Sequence, residues 1–102
     1  MPRIVILYPK TPDAEFNLDY YLKNHIELVR SSFGDAAPRI SVYRGLDGPD
    51  GKPAPFVVSA AIEFRDMSSL ISAIQRHGTR IAQDVANFTT IRPIVQIEEA
   101  VA

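Results

Sequence analysis

The chain has 102 residues, 46% of them hydrophobic and 23% charged, which is typical of one soluble globular domain spanning residues 1–102. Eleven basic and twelve acidic residues give a formal net charge of -1, so there is no basic excess to bind nucleic acid or an anionic membrane. Cysteine is absent, which excludes disulfides, thiolate nucleophiles and cysteine-ligated zinc.

The first half of the chain predicts a strand, a helix and a second strand. Residues 3–8 form a continuous apolar run rich in β-branched side chains, which is typical of a strand. Asp13 or Asn17 can cap a helix that runs to about residue 32, with Gly34 just past its end. Residues 39–44 alternate in character and predict the second strand.

The second half predicts a strand, a helix and a final strand. Residues 45–55 hold three glycines and three prolines and predict a turn before a strand at 55–64. Asp66 or Ser68 can cap a second helix, which we expect Gly78 to break or end before a further helical turn or two. The last strand is expected at residues 93–99.

The resulting order is β-α-β-β-α-β, which predicts an α+β, ferredoxin-like fold. In that fold a four-stranded antiparallel sheet carries both helices on one face. The N-terminal apolar run is too short for a signal peptide, and no segment approaches the ~20 apolar residues of a membrane span. We therefore expect a cytoplasmic protein without a membrane partner.

Several of the predicted strands are apolar on both sides. In the first strand Ile4 and Ile6 point one way while Val5 and Leu7 point the other. Because the helices can cover only one face, an apolar second face of this size needs a cover of its own. We expect a homodimer that packs sheet against sheet. The alternative is that the first strand is simply central and doubly buried within a monomer.

The start of the first helix carries the leading candidates for chemistry. Tyr21 and His25 are four residues apart and would share one helix face, which also carries apolar residues, Leu22 among them. Tyr20 lies about 100° from Tyr21 around the helix, so we expect one of the two tyrosines at the cleft and the other at a rim or a subunit contact. Tyr20 is also a candidate ligand-binding residue. Histidine exchanges its proton near neutral pH and can act as a general base. Alternatively, Tyr21 and His25 are both hydrogen-bonded side chains of the core.

Other candidate ligand-binding residues lie further along the chain. Tyr43 and Arg44 point to opposite sides of the second strand, and the arginine could bind a carboxylate, although an edge ion pair is the usual role. Asp84 and Asn87 could line a cavity or serve as caps. The two histidines show no metal-ligand spacing, and no glycine-rich phosphate loop precedes a helix. We expect no metal and no cofactor.

Two strings of residues carry a family resemblance. Asp19-Tyr20-Tyr21-Leu22-Lys23-Asn24-His25 and the later Asp84-Val85-Ala86-Asn87-Phe88-Thr89 resemble the EthD family of ethyl tert-butyl ether degradation, which belongs to the dimeric α+β barrels. A common family pattern has proline two residues after the histidine. Glu27 stands there instead, so we expect the helix to continue unbroken and the ligand surface to differ.

The resemblance implies a homodimer with an apolar cleft between helices and sheet that binds a small organic molecule. Related α+β barrel proteins include lactone isomerases, cofactor-independent monooxygenases, polyketide cyclases and haem-degrading enzymes. The preferred hypothesis is therefore a cofactor-free isomerase in which His25 moves the proton and Tyr21 orients the substrate. The alternatives are a non-catalytic accessory protein of an oxygenase pathway, and a haem-handling protein with His25 as axial ligand.

Overall fold

Residues 1–102 are described by a computed structural model, in which the strands and helices follow the predicted order. Four antiparallel strands form one sheet in the order β2-β3-β1-β4, and both helices pack on the same face of it. The elements are β1 Arg3–Pro9, α1 at residues 18–33, β2 Arg39–Arg44, β3 Phe56–Glu63, α2 Met67–Asp84 and β4 Ile94–Glu98. The ferredoxin-like prediction is confirmed.

β1 is a central strand, hydrogen-bonded to β3 on one side and to β4 on the other. Ile4 is paired with Ile62 of β3 and Ile97 of β4. Because side chains alternate along a strand, Ile4, Ile6 and Tyr8 face the helices, while Val5 and Leu7 face the opposite side. We call the side without helices the open face.

α1 consists of three consecutive pieces rather than one regular helix. A short α-helical turn, Leu18–Tyr20, is followed by a π-helical segment, Tyr21–His25, and then by α-helix Ile26–Phe33. Asn17 caps the start, because its side chain accepts a hydrogen bond of 3.0 Å from the backbone N–H of Tyr20. The helix does continue unbroken past Glu27, as the missing proline predicted.

α2 contradicts the prediction that Gly78 would break or end it. Asp66 caps its start by accepting a 2.7 Å hydrogen bond from the Ser69 N–H, and the helix then runs through Gly78 to Asp84. A glycine inside a helix costs only about 1 kcal/mol relative to alanine. Burial of Leu70 and Ala73 against the sheet stabilises the helix enough to tolerate that cost.

The core divides into two clusters beneath the two helices. One joins α2 to the second half of α1, and the other surrounds Tyr8, Tyr21 and Phe88. Leu22, which the sequence placed on the buried face of α1, is 45% exposed. The π-helical geometry turns this residue outward.

Neither helix has the length and apolar character that crossing a bilayer would require.

Candidate functional site

A cavity of about 210 Å³ lies between the helix-bearing face of the sheet, α1 and α2. Of its 17 lining residues 14 are hydrophobic, and none is charged if His25 is neutral. The lining residues are Ile4, Ile6, Tyr8, Tyr21, His25, Ile26, Val29, Phe33, Ala60, Ile62, Ile74, Gly78, Ile81, Ala82, Val85, Pro93 and Val95. Polar atoms reach this space only from Tyr8, Tyr21 and His25 among the side chains, so the cavity suits a largely apolar guest.

His25 is buried against the cavity and is held by one hydrogen-bond partner. Its Nδ1 lies 2.9 Å from Oδ2 of Asp84, and the residue is 4% exposed. Because a carboxylate can only accept, Nδ1 carries the hydrogen and donates it. In the neutral imidazole this leaves the lone pair on Nε2, which has no partner within the protein. His25 lines the cavity, and in this tautomer its Nε2 can accept a proton.

Asp84, at the end of α2, gathers three side chains. The hydroxyl of Tyr20 donates to Oδ1 at 2.9 Å, and the side-chain amide of Asn87 donates to the same oxygen at 2.9 Å. Desolvation by burial raises the pKa of Asp84, but the hydrogen bonds from Asn87, His25 and Tyr20 outweigh it and hold the pKa below its ordinary value. Asp84 is thus a carboxylate at neutral pH.

The π-helical segment explains why Tyr20 and His25 reach the same carboxylate. Residues five apart on an α-helix point about 140° away from each other. In the π-helical segment the Ile26 N–H bonds instead to the carbonyl of Tyr21, five residues back, and this wider turn brings residues five apart closer to one face. Tyr20 and His25 therefore share the Asp84 carboxylate, while Tyr20 itself is only partly buried and does not line the cavity.

Tyr21 and Tyr8 form the polar edge of the cavity. The Tyr21 ring stacks on His25 with centroids 5.5 Å apart, and it meets the Tyr8 ring edge to face at 5.9 Å. Burial raises the pKa of both phenols, so both stay protonated at neutral pH. Neither hydroxyl is bonded within the protein, and since no enclosed side-chain oxygen lacks a partner, both open onto the cavity.

The segment after α2 is fixed to the segment before α1. The Asn17 N–H donates to the carbonyl of Phe88 at 2.8 Å, and the Thr89 hydroxyl donates to the carbonyl of Glu15 at 2.6 Å. The Phe88 ring packs against His25 with centroids 4.7 Å apart. These contacts hold Asp84 beside α1, and they give the string around Asn87, Phe88 and Thr89 a structural role.

Tyr43 and Arg44 are not brought to the cavity. Tyr43 is 60% exposed and pairs with Ser59 on the open face, and Arg44 is exposed at the end of β2. Sequence reasoning also missed Tyr8 and Gly78 as cavity residues. The alternation from Ile4 and Ile6 would have placed Tyr8 on the helix side, but nothing local indicated a hollow there. No three His, Asp or Glu side chains converge to form a metal site.

Solved structures of known proteins share this fold. An EthD-like protein from Ralstonia eutropha JMP134 is 33% identical over 99% of this chain and 92% of that one, with a TM-score of 0.91. An ethyl tert-butyl ether degradation family protein from Bacillus halodurans C-125 is 18% identical over 99% of both chains, with a TM-score of 0.69. An antibiotic biosynthesis monooxygenase is 16% identical over the full length of both, with a TM-score of 0.62.

The two more distant structures establish the fold alone. No family model and no curated protein matches the chain. The relative from Ralstonia eutropha matches it over nearly the whole of both chains at a level of identity that indicates common descent. The chain therefore belongs to the EthD family.

Proposed function

We propose that this protein is a homodimer that binds a small apolar organic molecule in the cavity and isomerises it without a cofactor. The observation that carries the proposal is the placement of His25. It is a buried imidazole at an apolar cavity, with one nitrogen fixed by Asp84 and the other free. A base so oriented can take a proton from a bound ligand and return it elsewhere.

The volume of the cavity limits the ligand to a compact molecule. An apolar cavity of about 150 Å³ is known to bind benzene. At about 210 Å³, the cavity here can hold one ring with a short substituent. Burial of the ligand's apolar surface supplies affinity at about 25 cal/mol per Å², so a ligand needs few polar contacts to bind.

A homodimer is supported by the open face of the sheet. Val5 and Leu7 lie on this face in the central strand, and Ile94, which pairs with Leu7 from the edge strand, is 52% exposed. An apolar sheet face without helices is stabilised when a second copy packs against it. The helices, and with them both cavities, would then lie on the outside of the paired sheets.

A second candidate function is ligand binding without chemistry, as an accessory protein of an oxygenase pathway would need. The hydrogen bond from His25 Nδ1 to Asp84 and the stacking on Tyr21 favour it, because such contacts also satisfy a purely structural histidine. In that case the cavity protects or carries its ligand, and the imidazole contributes only packing.

Replacing His25 with glutamine tests the choice between the two. We expect the His25→Gln protein to remain folded and to bind one-ring lactones and cyclic ketones, while its rate of isomerisation falls by a factor of about 10² to 10⁴. Binding is measured by calorimetry and product formation by NMR, with Thr79→Ala on the exposed side of α2 as control. Full activity in His25→Gln would rule out the proton-transfer role. Binding without turnover in the unmodified protein would favour the accessory function.

A further inference from the structure

Three polar atoms face an otherwise apolar cavity, and their chemistry restricts the ligand. The Tyr8 and Tyr21 hydroxyls are protonated donors without partners in the protein, and the His25 Nε2 is an unpartnered acceptor. Tyr8 comes from the sheet and Tyr21 from α1, and their rings meet at 5.9 Å. The cavity is therefore lined by residues that carry two hydrogen-bond donors and one base.

The absence of a cation in the lining disfavours anionic ligands. No lysine or arginine lines the cavity, and the nearest carboxylate, that of Asp84, would repel a second negative charge. A carboxylate moved from water into such a space loses its hydration without gaining a counter-ion. The ligand that fits these walls is therefore uncharged, although it carries an acceptor for the phenolic hydrogens.

We infer that the ligand is an uncharged ketone or lactone with a hydrogen on the carbon next to its carbonyl group, bound through that carbonyl to the hydroxyls of Tyr8 and Tyr21. This inference rests on the proposed function and names its substrate class. Two O–H donors at a developing oxyanion are the arrangement that stabilises an enolate most directly. Tyr8, which lies on β1, becomes a catalytic residue in this scheme.

The proton transfer balances without any further reactant. Nε2 of His25 takes the hydrogen as a proton, the C–H electron pair becomes a C=C bond, and the carbonyl π pair moves to the oxygen held by the two hydroxyls. The imidazolium that forms is stabilised by Asp84 at 2.9 Å. Return of the proton to a conjugated carbon gives a double-bond isomer, whereas its return to the original carbon regenerates the substrate.

Three probes of matched shape test the substrate class: phenylacetone as the ketone, isobutylbenzene as the hydrocarbon and phenylacetate as the anion. One hydrogen bond contributes about 1 kcal/mol, or about fivefold in affinity. In Tyr8→Phe and in Tyr21→Phe we expect phenylacetone to bind about fivefold more weakly, while isobutylbenzene binds as before or more tightly. Tyr43→Phe on the open face is the matched control and should change neither affinity.

The outcomes separate this inference from the proposed function. If isobutylbenzene binds but neither tyrosine variant weakens phenylacetone, the carbonyl contact is wrong while the apolar site stands. Binding of phenylacetate as tight as that of phenylacetone would overturn the uncharged class. If none of the three binds, the proposed function itself fails together with the inference.

Hydrogen exchange in D₂O tests the chemical step on the same probe. We expect the protein to accelerate exchange of the benzylic hydrogens of phenylacetone, as followed by NMR. His25→Gln should abolish the acceleration, Tyr8→Phe should reduce it at least about tenfold, and Tyr43→Phe should leave it unchanged. Phenylacetone that binds without accelerated exchange would overturn the assignment of His25 and the two tyrosines to enolate formation.

Discussion

Asp84 receives hydrogen bonds from Tyr20, His25 and Asn87, and it touches none of the space in which a ligand would lie. Its effect on chemistry must act through the imidazole, because it fixes which ring nitrogen carries the hydrogen. A neutral histidine with its hydrogen on Nδ1 is a base at Nε2, whereas the other tautomer is not. We therefore propose that Asp84 is a positioning residue.

Replacing Asp84 with asparagine should lower turnover much more than ligand affinity. The asparagine amide can donate to Nδ1 and stabilise the wrong tautomer, which leaves no lone pair on Nε2. We expect kcat to fall at least about 100-fold while the binding of isobutylbenzene stays within twofold. The control is Asn87→Ala, which removes one donor to Asp84 outside the cavity and should lower kcat less than Asp84→Asn does. Unchanged kcat in Asp84→Asn would contradict the positioning role.

The ionisation of Asp84 should also make the free energy of unfolding depend on pH in the acidic range. Burial raises its pKa, but the hydrogen bonds from Asn87, His25 and Tyr20 outweigh burial, so the folded-state pKa lies below the unfolded value of about 3.9. A lowered pKa stabilises the fold above the unfolded pKa, and that contribution is lost as the pH falls through the folded pKa. The difference in unfolding free energy between the unmodified protein and Asp84→Asn should therefore shrink from pH 5 to pH 2.5. Urea titrations measure it, and a constant difference would contradict the assignment.

Among the elements, α1 and α2 each contain one feature that is unusual in a regular α-helix, and both features lie at the site. The π-helical segment of α1 aligns Tyr20 with His25, and Gly78 of α2 leaves space next to the cavity. A Cβ at Gly78 would have only the Ile74 Cγ2 within 4 Å, at 3.3 Å. Gly78 thus lowers the stability of α2 and at the same time leaves part of the cavity between α2 and the sheet open.

A larger side chain in that space should stabilise α2 and weaken ligand binding. Leucine is a much better helix former than glycine, which costs about 0.8 to 1 kcal/mol relative to alanine in a helix interior. A leucine at position 78 would, however, enter the cavity that Gly78 lines. We expect Gly78→Leu to bind isobutylbenzene at least about tenfold more weakly without a fall in Tm. Thr79→Ala, one position further on the exposed side, changes helix propensity alone and should leave affinity as it is. An unaltered affinity in Gly78→Leu would place the ligand elsewhere.

At the scale of the whole molecule, the helices cover only one of the two faces of the sheet. The helices bury one face around Ile4 and Ile62, whereas the open face presents Val5 and Leu7 beside a salt bridge between Arg3 and Glu98 at its rim. A hydrophobic centre with a charged rim is the usual pattern of a protein interface. The proposed homodimer follows from this pattern.

A charge at the centre of the open face should prevent dimer formation. In Val5→Asp, two-fold symmetry would bury one unpaired carboxylate from each copy, at a cost of several kcal/mol. We expect the unmodified protein to sediment as a dimer at micromolar concentration and Val5→Asp to sediment as a folded monomer. Met67→Asp, on the exposed start of α2, should remain dimeric. A monomeric unmodified protein would remove the proposal, as would a Val5→Asp variant that still forms dimers.

The sequence by itself determined the strands, the helix order and the ferredoxin-like sheet, because these depend on local periodicity. Asn17 and Asp66 were recognisable as caps from residue type and position. His25 and Tyr21 could be chosen as candidates because their spacing of four residues puts an imidazole and a phenol on one helix face. Gly78 could not be interpreted correctly, because whether a glycine ends a helix depends on what the helix packs against.

Only the tertiary structure decided which candidates share one site. Asp84 lies 59 positions after His25, and its contact with the imidazole depends on how α2 lies across the sheet. Tyr20 reaches the same carboxylate only through a π-helical turn that no residue pattern announces. Tyr8 became a candidate once a hollow appeared beside it. Periodicity is a property of neighbours along the chain, whereas a cavity arises from the mismatch of surfaces that meet only after folding.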